Sequence, residues 1–148
     1  MKYYIAYGSN LNKEQMAYRC PDAKPVGTAI LQDYRLTFRG NSHTGVANIE
    51  PEHGSSVPVG IWQISAKDEA ALDIYEGYPH LYRKEYIPVE LNGKTIRALV
   101  YVMTGHRKAA IASDRYYRTI YKGYSDFGLD HKVLKRADGE TVQTVAGY

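Results

Sequence analysis

Two short segments of this chain combine residue types and spacings that can do chemistry. In the first, Tyr7-Gly8-Ser9-Asn10-Leu11, a glycine permits a tight turn after an apolar run, and a helix signal begins just beyond it at Asn12. A strand-to-helix junction of this kind turns consecutive backbone N–H groups outward near the positive end of a helix dipole. Such groups can hold a carboxylate or a developing oxyanion, although the same pattern also serves as an ordinary connecting turn. The second segment is Ser65–Gly77. Ser65 caps a helix, Asp68 and Glu69 occupy its first turn, and Ala71, Leu72 and Tyr75 mark its buried side, with Gly77 at the C′ position. Glu76 therefore falls in the last turn, where the negative end of the dipole disfavours an ionised carboxylate. Tyr75, Tyr78 and Tyr82 surround it in sequence and can strip water from it. Both effects raise its pKa toward the range a general acid or base needs. The competing reading pairs Glu76 with Arg83 or Lys84 on the surface.

Other nucleophile and metal patterns are missing. His43, His53, His80, His106 and His131 share no metal-ligand spacing. No serine lies in a Gly-x-Ser-x-Gly elbow, Ser9 has no histidine partner in sequence, and no glycine-rich phosphate loop or dinucleotide fingerprint is found. Cys20 is the single cysteine, so neither an internal disulfide nor a cysteine metal cluster can form. Its neighbours Arg19 and Pro21 mark a helix end and lend a reactive thiol no support.

The elements that must position these groups follow from pattern. A strand is expected at Lys2–Ala6 and a helix at Lys13–Arg19, with Asn12 as N-cap, Gln15 in capping-box position and Pro21-Asp22 as the stop. Strands are expected near Gly27–Leu31, Tyr34–Phe38, Val46–Glu50 and Pro58–Ile64. The last is apolar on both faces, as a central or barrel strand must be. Tyr86–Leu91 and Thr95–Met103 flank Asn92-Gly93, the signature of a type I′ hairpin, and Pro88 belongs at an edge or bulge. A helix over Ser113–Tyr124 and a short helical piece ending near Arg136 complete the list. This order predicts an α+β domain over residues 1–136, a small mixed β-barrel with flanking helices, and residues 137–148 as its loosely held tail.

Composition is that of an ordinary globular chain of 148 residues, with 44% hydrophobic and 24% charged residues. No run approaches the ~18 apolar residues of a membrane span, and the apolar N-terminus is too short for a signal peptide. The chain is thus expected in the cytoplasm, with no membrane partner. The net charge of +3 is small and dispersed, and Lys132–Arg136 reads as a solvated helix face, so no nucleic-acid partner is expected. Fifteen tyrosines against two phenylalanines and one tryptophan serve either a phenol-rimmed pocket or simply the core. Nothing in the sequence addresses oligomeric state.

Taken together, the segments resemble the γ-glutamylcyclotransferase family, including its AIG2-like and butirosin-pathway branches. The resemblance runs from Tyr4 to about Leu134. It is carried by Tyr7–Leu11, Gly45–Pro51, Val59-Gly60-Ile61-Trp62, Leu72–Tyr82, and Tyr116–Gly123 continuing to Asp126–Leu129. It implies a barrel with flanking helices and a cofactor-free reaction that turns a small γ-glutamyl amine or amino-acid conjugate into 5-oxoproline and a free amine. It also implies Glu76 as the acid/base, with Tyr7, Gly8, Ser9, Asn10 and Leu11 as the substrate loop and Tyr82 and Tyr116 as pocket residues. The chain lacks the Phe-Gly-Tyr-Gly-Ser loop of the glutathione-degrading branch, which argues against glutathione as preferred substrate. Asn41–Thr44 and Gly105–Ala112 match no shared motif and are expected to set substrate choice. The alternative is a non-catalytic binding module on the same scaffold.

Overall fold

The computed structural model describes residues 1–147. The elements are β1 (Lys2–Ala6), a 3-10 turn (Ser9–Leu11), α1 (Lys13–Arg19), β2 (Lys24–Asn41), β3 (Thr44–Ile64) and α2 (Ala66–Glu76), then β4 (Tyr82–Leu91), β5 (Lys94–Met103), α3 (Asp114–Asp126) and α4 (Lys132–Ala146). The strands form one mixed sheet in the order β2-β3-β1-β5-β4. Among the described residues only β1 and β5 run parallel, with Tyr4 opposite Leu99. The sheet curls until its two edges face each other: a Cβ on Gly27 of β2 would lie 2.7 Å from Leu91 Cδ1 of β4. Among the described residues no ladder joins β2 to β4, so side chains close the barrel rather than hydrogen bonds. The α+β barrel with flanking helices is the expected one.

Local signals were met where they are strongest. Asn12 Oδ1 accepts from Gln15 N at 3.0 Å and starts α1, while Gln15 Oε1 turns outward to Arg19 instead of completing a capping box. Asn92 (φ 51) and Gly93 (φ 79) make the tight turn of the β4–β5 hairpin, and Pro88 lies on the edge strand β4. Val59, Ile61, Trp62 and Ile64 are all buried, as a strand covered on both faces requires.

Two expectations are corrected. The four short strands between Gly27 and Ile64 fuse into two long ones, β2 and β3, forming a continuous antiparallel ribbon. The chain bends without breaking because Asp33 adopts φ 64 and its Oδ1 accepts Gly54 N at 2.9 Å, placing a register shift between Gln32 and Tyr34. The expected loose tail is instead most of a helix. Beyond Arg136, α4 continues to Ala146 and buries Ala137 and Thr141 in line with Leu134. Beyond Arg136 its buried residues, Ala137 and Thr141, are small, and the exposed Gly139 lowers helix propensity, so neither hydrophobicity nor propensity announces it. Packing against β2, with an Arg35–Glu140 pair at 3.5 Å, holds it there.

The outer half of the ribbon is tied to β5 by Asn48, a buried residue whose Oδ1 accepts Met103 N at 2.9 Å. This bond sets the height of the neighbouring Ala47 against the sheet. Asn48→Ala removes the acceptor of a buried N–H and is expected to cost about 1–3 kcal/mol. Urea denaturation checks it, and a neutral result would contradict the role.

Candidate active site

The Tyr7–Leu11 turn is fastened from behind. Trp62 Nε1 donates to Asn10 O at 2.9 Å, and Asn12 Nδ2 donates to Thr119 O at 3.1 Å, binding the turn to β3 and α3. Leu11 fills the space left by Gly60 and Gly123, where added Cβ atoms would come within 2.8 and 2.6 Å of its side chain. Leu11 N and Asn12 N are satisfied by Gly8 O and Ser9 O, both at 3.0 Å. The amides of Gly8, Ser9 and Asn10 donate to no acceptor among the described residues. Of the five residues expected to hold substrate, Tyr7, Gly8, Ser9 and Asn10 line one cavity. Leu11 is fully buried behind them in the core.

Helix α2 brings Glu76 to the same cavity. Ser65 and Asp68 form a reciprocal capping box at its start, and Gly77 takes φ 66 at its end. The helix is bolted down by Asp73, whose carboxylate accepts Tyr101 Oη at 2.6 Å and lies 2.8 Å from Lys84 Nζ. Lys84 also reaches Glu69, and Arg83 pairs with Glu85. The two surface partners that the sequence offered Glu76 are thus engaged elsewhere. Instead Glu76 Oε1 accepts Asn10 Nδ2 at 3.3 Å, which joins the two sequence-predicted segments directly.

The cavity between them holds about 280 Å3 and is walled largely by tyrosines. Tyr82 Oη donates to Ala47 O at 2.7 Å, and Ala47 N donates to Tyr116 Oη at 3.1 Å, so one residue of β3 fixes both predicted pocket phenols. Tyr7 Oη donates to Tyr101 O at 2.7 Å. Tyr75, though partly exposed, pairs with Ser9 Oγ at 2.9 Å on the rim. Tyr78 does not join them; it lies outside, under the Lys84 ammonium. Burial pushes the phenols of Tyr4, Tyr7, Tyr82 and Tyr116 upward, so they stay protonated. Tyr7 and Tyr82 donate their one O–H to carbonyls, while Tyr4 and Tyr116, which accept from Asn10 Nδ2 and Ala47 N, keep theirs free to donate. The same burial pushes the Glu76 carboxyl up to about 7, against a smaller downward pull from Arg19. Glu76 retains some solvent contact as a half-buried residue, yet desolvation dominates its ionisation.

The arrangement therefore combines one poised carboxylate with neutral donors: the unpaired amides of three residues that line the cavity, and the Tyr4 and Tyr116 hydroxyls. It can move a proton and steady an anion. Tyr4, Val46, Ala47, Leu81 and Tyr101 also line the cavity and were missed from sequence. Strand alternation sets Tyr4 on the same face as the charged Lys2 and so gave no inward signal, and the others depend on pairings between distant segments. Asn41–Thr44 and Gly105–Ala112 lie side by side, with Gly45 N donating to Ile111 O and Gly40 N to Lys108 O, both at 3.0 Å. Neither segment lines the cavity. Cys20 is buried, donates to Asp68 O, and has its thiol pushed up to about 12, which leaves it inert. Among the described residues no three His, Cys, Asp or Glu side chains gather as a metal site, and no helix is long and apolar enough to cross a membrane.

Residues 4–119 match the model of a family described as "Gamma-glutamyl cyclotransferase, AIG2-like". The chain belongs to this family. The matched stretch takes in every cavity residue, from Tyr4 to Tyr116. Two curated relatives, both named gamma-glutamylcyclotransferase, agree. The Bos taurus protein is 32% identical over 146 residues, covering 90% of this chain and 75% of its own length. The Homo sapiens protein is 33% identical over 139 residues, covering 85% and 71%. A solved structure named gamma-glutamyl cyclotransferase superposes with a TM-score of 0.77 at 28% identity, over 92% of this chain and 85% of that one. Gamma-glutamyl cyclotransferases are enzymes, and the fold of this chain is theirs.

Proposed function

We propose that this family member converts a small γ-glutamyl amine or γ-glutamyl amino-acid conjugate into 5-oxoproline and the free amine, with Glu76 as its general acid/base. The observation that carries the reading is Glu76 itself: a desolvated carboxylate without a cationic partner within 4 Å among the described residues, set across a small cavity from three unpaired amides. Ionised Glu76 takes a proton from the substrate's α-ammonium. The freed nitrogen attacks the γ-carbonyl carbon, closing the five-membered ring and moving charge onto the carbonyl oxygen, where the Gly8–Asn10 amides can receive it. The intermediate collapses by breaking the bond to the leaving nitrogen, which takes the proton back from Glu76. The carboxylate so regenerated removes the second proton from the new ring nitrogen and passes it to the departing amine, leaving the neutral lactam of 5-oxoproline. The nucleophile belongs to the substrate, so holding the chain folded supplies much of the acceleration. A cavity of about 280 Å3 favours short leaving groups.

The test is mass-spectrometric detection of 5-oxoproline from a panel of γ-glutamyl amines, γ-glutamyl amino acids and glutathione. Equimolar 5-oxoproline and amine are expected, with glutathione a poorer substrate. The free enzyme must start with Glu76 ionised, so kcat/KM should rise as pH increases through about 7. A folded protein that releases 5-oxoproline from no member of the panel would overturn the reading.

A further inference from the structure

Glu76 meets only one side chain in the substrate loop, Asn10, and the orientation of that amide decides what the carboxylate sees. Asn10 is almost fully buried. Its amide lies between Arg19 on one side and Tyr4 Oη and Glu76 Oε1 on the other. Arg19 has donors and no acceptor, so the oxygen of Asn10 must face it. The NH2 group is then turned the other way, bonding Tyr4 Oη at 2.8 Å and Glu76 Oε1 at 3.3 Å. The reverse rotamer would set the NH2 against the guanidinium and an oxygen lone pair against the carboxylate, losing both contacts.

The guanidinium is itself held in place. Its Cζ lies 3.5 Å from the centroid of the Tyr75 ring, and Nη2 donates to Gln15 Oε1 at 3.0 Å. Tyr75 in turn pairs with Ser9 Oγ. Arg19 thus sits where α1, the loop and the last turn of α2 meet, outside the cavity lining and beside it.

We propose that Arg19 is a positioning residue for the cyclisation site: by taking the Asn10 oxygen it points the Asn10 NH2 at Glu76, and it brings the one cation that acts on that carboxylate. The inference rests on the reading of Glu76 as acid/base. The other titratable groups facing Glu76 are phenols, Tyr4 and Tyr7 from β1 and its loop, Tyr82 from β4 and Tyr116 from α3, all pushed upward and neutral near pH 7. On α2, Asp73 and Glu69 are both paired with Lys84. Arg19 alone lowers the Glu76 pKa, opposing burial.

The experiment follows the Glu76 carboxyl by NMR of protein labelled with 13C at the glutamate side-chain carboxyl, with Glu76→Gln identifying the resonance, in the wild type, Arg19→Met and Arg19→Lys. Kinetic pH profiles are recorded alongside, and thermal unfolding verifies the fold of each variant. Arg19→Met should move the Glu76 titration and the acidic limb of kcat/KM upward together by ~0.5–1 pH unit. Above pH 8 the part of the loss that comes from ionisation should disappear, leaving a kcat deficit of ~3- to 10-fold, because methionine cannot hold the Asn10 oxygen. Arg19→Lys keeps the charge without the planar fork. It should titrate near the wild type while kcat falls ~3- to 10-fold at every pH, because Asn10 is no longer locked. An Arg19→Met titration that coincides with the wild type would overturn the proposal, as would a uniform loss across pH in both variants. Because the resonance is read without turnover, that failure is distinct from full activity in Glu76→Gln, which would instead remove the reading beneath it.

Discussion

Replacing Glu76 with glutamine is expected to lower 5-oxoproline release about a thousandfold and, above neutral pH, to make the protein more stable. The first effect follows from the double use of one carboxylate. Glutamine keeps the shape and can still meet Asn10, but it neither accepts the ammonium proton nor returns one to the leaving nitrogen. The second effect follows from linkage. The Glu76 carboxyl has a folded pKa of about 7, above its ordinary value of 4.5. The folded state therefore binds its proton more tightly, and stability falls as pH rises through the interval between those two values. At pH 8 the wild type carries that full cost and the Glu76→Gln variant does not. A gain of about 1–2 kcal/mol is expected there, less than the full linkage value because the residue keeps some solvent contact. Near pH 4 the gain should vanish. Urea unfolding of both proteins at the two pH values checks this, and equal stability at pH 8 would mean the carboxyl is not desolvated as described. Activity exacts its cost here in stability.

The second large effect is expected at Gly123, far from the reacting atoms in sequence. On a helix, alanine ordinarily outperforms glycine by about 1 kcal/mol. At this position of α3 an added Cβ would lie 2.6 Å from Leu11 Cβ and 2.7 Å from both Asn12 N and Leu11 C. Two of those three atoms are backbone and cannot swing away. Relieving the clash means parting α3 from the substrate turn and stretching the bond from Asn12 Nδ2 to Thr119 O. Gly123→Ala should therefore lose about 2–3 kcal/mol despite its better propensity. kcat/KM should fall as well, because the Gly8–Asn10 amides shift with the turn. A variant as stable and active as the wild type would show that the α3–turn contact does not position the site.

The parts of the fold that were legible in the sequence are those set by neighbours in the chain. Asn12, Ser65, Gly77 and Asn92-Gly93 each act within a few residues, and each did what its type predicts. Glu76 and the Gly8–Asn10 turn were readable for the same reason: a helix end and a strand-to-helix junction are local objects. The ribbon was misread because its continuity depends on Asp33 bonding Gly54, a contact between side chain and backbone that no periodicity records. The helix beyond Arg136 was misread because Leu134, Ala137 and Thr141 become a buried stripe only once β2 lies beneath them. Within the site the same division holds. Ala47, Tyr101 and Arg19 reach the cavity or its edge through register and packing between distant segments, as the Tyr82–Ala47 and Arg19–Asn10 bonds show. Leu11 shares a motif with the cavity residues, yet its side chain fills the core against Gly60 and Gly123.

The most direct test of the central claim is a single-turnover experiment with enzyme in excess over a γ-glutamyl amine, run for the wild type and Glu76→Gln, with 5-oxoproline quantified after rapid quenching and binding measured separately by calorimetry. Excess enzyme removes product release from the rate, so the signal reports ring closure alone. The wild type should convert all bound substrate, whereas Glu76→Gln should bind it with similar affinity and return it intact. Ring closure in the variant at the wild-type rate would contradict the assignment of the proton transfers to Glu76.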